Sequence, residues 1–243
     1  MSVRTLVVDG KTITALEDQT IFSAAWESGI KIPRLCHVGG LPDVGACRLC
    51  LVEIDGQKKL QPSCITKVAE DMVVRTDTPA LRAYRKLIVE LLFAERNHVC
   101  SVCVVNGACE LQTLAADLGV DHIRVRPQYP KLDVDLSHER YGIDHNRCVL
   151  CTRCVRVCDA VEGAHTWDIA GRGKNSLIIS DLGERWGESE SCTSCGKCVQ
   201  ICPTGALFSK GKTVAEMRKD RSFLQYIVTA REKKLWISER RSR

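Results

Sequence analysis

The chain carries the run Cys148-Val-Leu-Cys151-Thr-Arg-Cys154-Val-Arg-Val-Cys158, which returns after a spacer of 33 residues as Cys192-Thr-Ser-Cys195-Gly-Lys-Cys198-Val-Gln-Ile-Cys202. In a C-x2-C-x2-C-x3-C run, three thiolates of one short loop reach three irons of a cubane, and the fourth cysteine ligates the other cluster. The two runs therefore predict two [4Fe-4S] clusters in one small domain. Their ligand sets are crossed: Cys148, Cys151, Cys154 and Cys202 for one cluster, and Cys158, Cys192, Cys195 and Cys198 for the other.

Structural zinc is the alternative for paired C-x2-C motifs, because four thiolates complete a zinc site. A zinc ion would leave cysteines of each run without a role, so the pattern favours iron-sulfur clusters.

The composition is that of a globular protein rich in cysteine. Hydrophobic residues make up 44% of the 243 residues, and the 15 cysteines are an odd number that does not suit a disulfide framework. The N-terminus has no signal-peptide pattern, and no apolar run approaches the roughly 18 residues of a membrane span. These features predict a soluble, cytoplasmic protein without a membrane span.

The net charge of +5 comes from the C-terminal residues. Residues 210–243 contain 11 Lys/Arg and 4 Asp/Glu, and this basic segment is interpreted either as a docking helix over residues 219–236 or as a solvated tail. Four clusters with their ligands would add a charge of about −7, so the basic pI does not indicate nucleic-acid binding.

The N-terminal residues predict a β-grasp domain. Strands over residues 4–9 and 11–16 flank an Asp9-Gly10 turn, and Thr20 caps a helix over residues 21–28. Four cysteines follow with a spacing suited to one [2Fe-2S] cluster, with zinc as the alternative: Cys36, Cys47, Cys50 and Cys64.

A long helix is predicted to begin at Thr78-Pro79. Its expected apolar face comprises Leu81, Tyr84, Leu87, Ile88, Leu91 and Leu92, opposite the charged Arg82, Arg85, Lys86 and Glu90. The helix leads to three cysteines that need a fourth ligand for a cubane, and His98 is predicted to supply it. This third [4Fe-4S] set is His98, Cys100, Cys103 and Cys109.

The predicted fold class is α+β with three cluster-binding domains. The expected segments are a β-grasp [2Fe-2S] domain (1–78), a small helical [4Fe-4S] domain with one histidine and three cysteine ligands (79–120), a linker (121–140), a ferredoxin-like 2[4Fe-4S] domain (141–210) and a basic C-terminal tail or helix (211–243).

The four sets use every cysteine and predict one [2Fe-2S] and three [4Fe-4S] clusters. The sequence has no dinucleotide fingerprint or phosphate loop, and no cysteine remains for a nickel site or for nucleophilic catalysis. We therefore predict no catalytic residue on this chain. Electrons must enter and leave through partners.

Several phrases resemble a known family: residues 93–100 (FAERNHVC), 142–148 (GIDHNRC) and 163–168 (GAHTWD). With the ordered cysteine sets, they resemble the diaphorase iron-sulfur (U) subunits of bidirectional NAD(P)-linked [NiFe] hydrogenases. More distantly, they resemble the N-terminal part of the complex I peripheral-arm iron-sulfur subunit and of multi-cluster [FeFe] hydrogenases.

The resemblance implies an electron-transfer subunit of an NAD(P)-linked hydrogenase. The implied partners are a flavin/NAD(P)H-binding diaphorase subunit, a thioredoxin-like [2Fe-2S] subunit and the small and large [NiFe] hydrogenase subunits, with ferredoxin or flavodoxin as a further carrier. FMN and NAD(P) are expected on a partner subunit. The alternatives are an iron-sulfur subunit of an NADH-quinone or NAD-formate oxidoreductase and, from another class, a zinc-rich scaffold or nucleic-acid-binding module.

Overall fold

The N-terminal hairpin forms where the sequence predicts it. In the computed structural model, which describes residues 2–232, β1 (Val3–Val8) pairs antiparallel with β2 (Lys11–Leu16). Asp9 and Gly10 both have positive φ angles, 50° and 80°, which are the backbone angles of a two-residue type I′ turn. This turn matches the twist of the two strands and fixes their register.

The first sheet has five strands in the order β2-β1-β5-β3-β4, with β3 at Leu51–Ile54, β4 at Gln61–Pro62 and β5 at Met72–Arg75. β5 lies parallel to β1 and antiparallel to β3. The helix α1 (Ile21–Glu27) shares its buried apolar residues with this sheet, and Thr20 Oγ1 accepts a hydrogen bond from the Ser23 amide as its N-cap. The sheet with its packed helix positions the first cysteine set.

The helix α2 (Pro79–Glu95) begins as predicted, because Thr78 Oγ1 accepts a hydrogen bond from the Leu81 amide. The prediction of its buried face was wrong in part. Arg85 and Glu90 are buried, whereas three predicted core residues are exposed: Tyr84, Leu87 and Leu91.

Contacts with distant parts of the chain explain why two charged side chains of α2 are buried. Arg85 Nε donates to Leu49 O at 3.0 Å, and its Nη2 donates to Leu51 O at 2.9 Å. Glu90 forms an ion pair with Arg124, with 2.8 Å between Glu90 Oε1 and Arg124 Nη2. A charged side chain can be buried when it finds such partners, and periodicity alone does not reveal them.

The remaining helices and strands are short. The helix α3 (Glu110–Asp117) is followed by Gly119, whose φ is 63°. A sheet in the order β10-β7-β6 joins Leu207–Ser209, Tyr141–Asp144 and Val134–Asp135, and β8 (Trp167–Ala170) pairs with β9 (Leu177–Ser180). The short helices are α4 (Arg153–Val157) and α5 (Lys197–Ile201). Because β6 lies within residues 121–140, that segment contributes a strand in addition to linking neighbouring elements.

The chain divides into two compact units. One contains residues 2–37, 43–94 and 111–127, and the other contains residues 38–42, 95–110 and 128–232. The last described element of the second unit is α6 (Phe223–Glu232), which begins later than the predicted position 219. Residues 233–243, including the predicted helix end at Trp236 and the basic Arg240–Arg243, lie outside the described residues. Within the described part, no helix is long and apolar enough to cross a membrane.

Candidate iron-sulfur centres

The first cysteine set lies beside the five-stranded sheet. Cys50 directly precedes β3 and Cys64 follows β4, so the sheet brings these two sulfurs to 3.4 Å from each other. Across the loop, the Cys47 amide donates to Cys36 Sγ at 3.5 Å. Hydrogen bonds from the Cys47 and Cys64 side chains lower the pKa of Cys36. The structure therefore brings together all four residues predicted to hold a [2Fe-2S] cluster.

The loop between Cys36 and Cys50 depends on two special backbone positions. Gly45 and Arg48 have φ angles of 61° and 58°, and a Cβ at Gly45 would lie only 2.8 Å from the Ile65 side chain. Arg85 supports the same loop by donating to the carbonyls of Leu49 and Leu51. The buried cation of α2 thus fixes the backbone on both sides of Cys50.

The second set follows the end of α2. Cys100 begins a single 3-10 turn (Cys100–Val102), Cys103 and Cys109 are buried, and the Nε2 atom of His98 is also buried. The segment after the ferredoxin-like runs holds this loop in place, because the Ala215 amide donates to Cys103 O at 3.1 Å. These atoms are soft thiol and imidazole donors, and such a donor set fits a histidine-ligated cubane.

The third set surrounds one cavity of the second unit. Its lining includes all four cysteines of the first crossed set: Cys148, Cys151, Cys154 and Cys202. Cys148 and Cys151 come from the loop before α4, Cys154 lies in the first turn of α4, and Cys202 directly follows α5. Leu150 and Thr152, between the loop cysteines, have φ angles of 50° and 59°. These left-handed residues coil the loop so that its thiols face one space, at a conformational cost for the β-branched Thr152.

The fourth set repeats this arrangement. A separate cavity is lined by Cys158, Cys192, Cys195 and Cys198. Ser194 and Gly196 occupy the loop positions that correspond to Leu150 and Thr152, with φ angles of 55° and 72°. Cys158 directly follows α4, in a π turn (Cys158–Glu162), and Cys202 directly follows α5, so each helix with the residue after it supplies one cysteine to each cavity.

Burial dominates the acid-base behaviour of the third set. It raises the pKa of the Cys148 thiol to about 12 and that of Cys151 to about 11, and it raises the pKa of Cys154 well above its usual value. Thiolates are the form that binds iron, so cluster insertion must displace these protons, and the positive charge of the irons supplies the driving force.

Two tryptophans lie against the fourth set. Trp186 Nε1 donates to Cys192 Sγ at 3.2 Å. Burial raises the pKa of Cys198, and a hydrogen bond from the Trp167 side chain opposes that rise. The two rings meet edge to face with centroids 4.8 Å apart. Donors aimed at cysteine sulfur stabilise the more negative, reduced state of a cluster.

We expect Trp186→Phe to lower the reduction potential of the cluster at Cys158, Cys192, Cys195 and Cys198. Phenylalanine keeps the aromatic packing but removes the indole donor, so the expected shift is a few tens of mV, where about 59 mV is a tenfold change for one electron. A redox titration followed by EPR measures the shift.

The control for Trp186→Phe is Trp26→Phe, because Trp26 is half exposed and belongs to the other unit. Equal potentials in the two variants would show that the indole donor does not act on the cluster.

None of the 15 cysteines, all of which lie within residues 2–232, forms a disulfide. Over the same described range, no three or more His, Cys, Asp and Glu side chains take the geometry of a single-ion metal site.

Three known families match consecutive parts of this chain. Residues 3–79 match the 2Fe-2S iron-sulfur cluster binding domain, and residues 85–124 match the NADH-ubiquinone oxidoreductase-G iron-sulfur binding region. Residues 141–208 match the ferredoxin-like domain of NADH-quinone oxidoreductase subunit 3. The chain thus contains a [2Fe-2S]-binding domain, a further iron-sulfur region and a ferredoxin-like domain, as the sequence predicts.

One relative decides the family. The chain is 33% identical to the NAD-reducing hydrogenase HoxS subunit gamma of Cupriavidus necator over 211 residues, which are 86% of this chain and 88% of the relative. The chain belongs to the family of that gamma subunit. A crystal structure of an NAD+-reducing [NiFe]-hydrogenase in the H2-reduced state contains a chain of the same fold, with a TM-score of 0.82, 35% identity and coverage of 86% and 88%.

Other members of the wider family are longer. The chain is 35% identical to the mitochondrial NADH-ubiquinone oxidoreductase 78 kDa subunit of Candida albicans and 35% identical to the NADP-reducing hydrogenase subunit HndD of Solidesulfovibrio fructosivorans. These matches cover 84% and 85% of this chain but only 28% and 36% of those relatives. The family membership confirms the resemblance found in the sequence.

The side chains that surround the cysteines could not be predicted from the cysteine spacings. Arg85 reaches its partners from a distant position in the chain, and no spacing rule connects Trp186 with the Cys192 thiol. The rarity of tryptophan was a weak signal for these contacts, because the sequence has only four tryptophans. Two of them lie against cysteines of the fourth set.

Proposed function

We propose that this chain relays single electrons between a flavin/NAD(P)H-binding diaphorase subunit and the small subunit of a [NiFe] hydrogenase. The relay comprises one [2Fe-2S] cluster at Cys36, Cys47, Cys50 and Cys64, and three [4Fe-4S] clusters. Their ligands are His98 with Cys100, Cys103 and Cys109; Cys148, Cys151, Cys154 and Cys202; and Cys158, Cys192, Cys195 and Cys198. The main support is the pair of cavities, because each is lined by the four cysteines of one crossed set.

The residues of the second unit support short steps between neighbouring clusters. A Cβ at Gly205 would overlap Cys103 Sγ and would lie 3.5 Å from Arg147 Cδ, so this glycine lets the third set approach the His98 set closely. Each of α4 and α5, together with the residue that directly follows it, supplies one cysteine to each ferredoxin-like set. Bound clusters supply one-electron redox chemistry, and this chain's residues hold them, exclude water and tune their potentials.

The names of the relatives support the identity of the partners. The gamma subunit belongs to an NAD-reducing hydrogenase, and the matching solved chain belongs to an NAD+-reducing [NiFe]-hydrogenase. We therefore propose a cytoplasmic complex with a diaphorase subunit, a thioredoxin-like [2Fe-2S] subunit and the two hydrogenase subunits, with ferredoxin or flavodoxin as a further carrier. Substrate chemistry takes place on the partners, since no catalytic residue is assigned to this chain.

Purification of the tagged chain with its partners, under anaerobic conditions, tests this function. We expect about 14 irons in each copy of this chain, a copurifying nickel-containing subunit, and NAD(P) reduction by H2 in the complex but not in the isolated chain. A colourless zinc protein would contradict the relay. Copurification with a quinone-reducing or molybdopterin-containing subunit would place the chain in a different oxidoreductase.

A further inference from the structure

Lys219 directs its ammonium group at two backbone carbonyls next to the ferredoxin-like cysteine sets. Its Nζ donates to Val199 O at 2.7 Å and to Leu207 O at 2.9 Å. Val199 directly follows Cys198 of the fourth set, and Leu207 lines the cavity of the third set. These contacts place the cation beside the backbone of both sets, at most about 12 Å from the Cys198 sulfur by standard bond lengths.

Lys219 replaces a hydrogen bond that α5 cannot make. In an α-helix, the Val199 carbonyl accepts from the amide four residues later, and that residue is Pro203, which has no N–H group. The Lys219 ammonium supplies the missing donor. The next residue is anchored to the same helix, because the Asp220 amide donates to Gln200 Oε1 at 2.9 Å. The cation is therefore fixed at the end of α5.

Two arginines bind the next two carbonyls of α5, and the three cations are only partly compensated. Arg221 Nε and Arg153 Nη1 donate to those carbonyls at 3.3 and 3.4 Å. Both arginines form ion pairs with the single carboxylate of Glu110. Within residues 2–232, Lys219 forms no ion pair with a carboxylate. Three cations and one carboxylate leave two positive charges in excess where the chain reaches Cys202.

The charged form of Lys219 suits an anionic neighbour. Burial lowers the pKa of Lys219, and negative charge at Cys202 opposes that change. A cluster with four thiolates carries a formal charge of about −2 when oxidised and about −3 after dithionite supplies one electron. A bound cluster therefore favours the ammonium form. The ammonium in turn stabilises the reduced cluster more than the oxidised one, because the attraction grows with the charge on the cluster.

We infer that Lys219 is a positioning residue whose fixed ammonium raises the reduction potential of the third-set cluster, held by Cys148, Cys151, Cys154 and Cys202. This inference rests on the proposed ligand sets. The fourth-set cluster should be affected in the same direction but less. Leu207, one of the two acceptors of Lys219, lines the third-set cavity, whereas neither acceptor lines the fourth-set cavity.

The test compares Lys219→Met, Lys219→Arg and the control Lys212→Met in the full-length, cluster-loaded protein. Methionine keeps an unbranched side chain without the charge, and arginine keeps the charge. Lys212 is an exposed lysine of the same unit that pairs with the exposed Glu216. The variants Cys151→Ala and Cys195→Ala first assign the EPR signals of the third and fourth sets. Stepwise redox titration followed by EPR then gives the potential of each cluster, and iron analysis gives the number of clusters retained.

We expect Lys219→Met to lower the equilibrium constant for reduction of the third-set cluster about tenfold, which is about 59 mV for one electron. A unit charge about 10 Å away has an effect of this size in a partly buried site. The fourth-set potential should fall by less. Lys219→Arg should restore most of the third-set shift, and Lys212→Met should leave all potentials unchanged.

An unshifted third-set potential in Lys219→Met with full iron content would overturn the inference. An equal shift in Lys219→Arg, or a larger shift of the fourth-set cluster, would do the same. If Lys219→Met loses iron, Lys219→Arg decides: full iron content with an unshifted potential supports charge compensation, and equal loss shows that Lys219 only stabilises the end of α5. An iron content far from about 14 in the unmodified protein would instead contradict the proposed function.

Discussion

Cys202→Ala is expected to abolish the EPR signal of the cluster held by the first cysteine run, although Cys202 belongs to the second run. The residue closes α5 but lines the cavity of Cys148, Cys151 and Cys154. Without a fourth ligand, that cubane is lost or reduced to three irons, so the chain should contain between one and four irons fewer than the roughly 14 expected.

Two reference variants identify which cluster is affected. Cys151→Ala removes a ligand from the middle of the first run, and Cys195→Ala does the same in the second run. The signal missing in Cys202→Ala should be the one missing in Cys151→Ala, and the signal missing in Cys195→Ala should persist. If Cys202→Ala and Cys195→Ala instead lack the same signal, each run holds its own cluster and the crossed assignment is wrong.

The effect on folding should be large as well. Cluster bonds contribute directly to the stability of a small domain, and in the proposed assignment they would connect the first run to the end of α5. The cubane of Cys148, Cys151 and Cys154 is the link that Cys202→Ala removes. Faster release of the remaining iron in mild denaturant would therefore accompany the loss of the signal.

Local signals were enough to predict many parts of this fold. The Asp9-Gly10 turn and the caps at Thr20 and Thr78 all act within a few residues, so the sequence contains the cause and its effect together. The cysteine sets are predictable for a related reason. A cubane requires fixed spacings between the three cysteines of one loop. Because the run occurs twice, the fourth cysteine of each run is predicted to bind the cluster of the other run.

The parts that could not be predicted depend on distant partners. Arg85 is buried because the carbonyls of Leu49 and Leu51, more than 30 positions away, accept its protons. The strand β4 contains only Gln61 and Pro62, because it forms where the chain can pair with β3. Arg96 reaches Ser176 across 80 positions. Periodicity describes one element at a time and carries no information about such contacts.

Glu110 holds two arginines of the second unit, and Glu110→Gln is expected to destabilise that unit. Its carboxylate accepts two hydrogen bonds from Arg153, at 2.7 and 2.9 Å. It also forms an ion pair with Arg221. Arg153 is completely buried, so a neutral glutamine would leave its charge uncompensated. Breaking a buried pair costs about 3–5 kcal/mol, and because Glu110 is 29% exposed we expect roughly 2–3 kcal/mol.

The effect of Glu110→Gln should disappear in acid. Burial favours the protonated carboxyl group, but the hydrogen bonds and charges of Arg153 and Arg221 outweigh burial and lower the pKa of Glu110. A lowered pKa contributes stability that is fully present above the unfolded value of about 4.3 and is lost as the pH falls through the folded value. The unmodified protein and the variant should therefore differ fully at neutral pH, and the difference should shrink as the pH falls from the unfolded value through the lower folded value.

Anaerobic loss of the visible cluster absorbance in guanidinium measures this difference as a rate, because cluster release makes unfolding irreversible. If the pair is broken in the transition state for unfolding, roughly 2–3 kcal/mol corresponds to a rate about 30- to 150-fold higher at neutral pH. The matched control is Glu216→Gln, because its exposed i,i+4 pair with Lys212 is screened by solvent and its loss should leave the rate nearly unchanged. Equal unfolding rates for Glu110→Gln and Glu216→Gln would show that the carboxylate of Glu110 does not stabilise the second unit through Arg153. A large effect for Glu110→Gln alone would establish this ion pair as a structural link between the Cys109 loop and the ferredoxin-like helices.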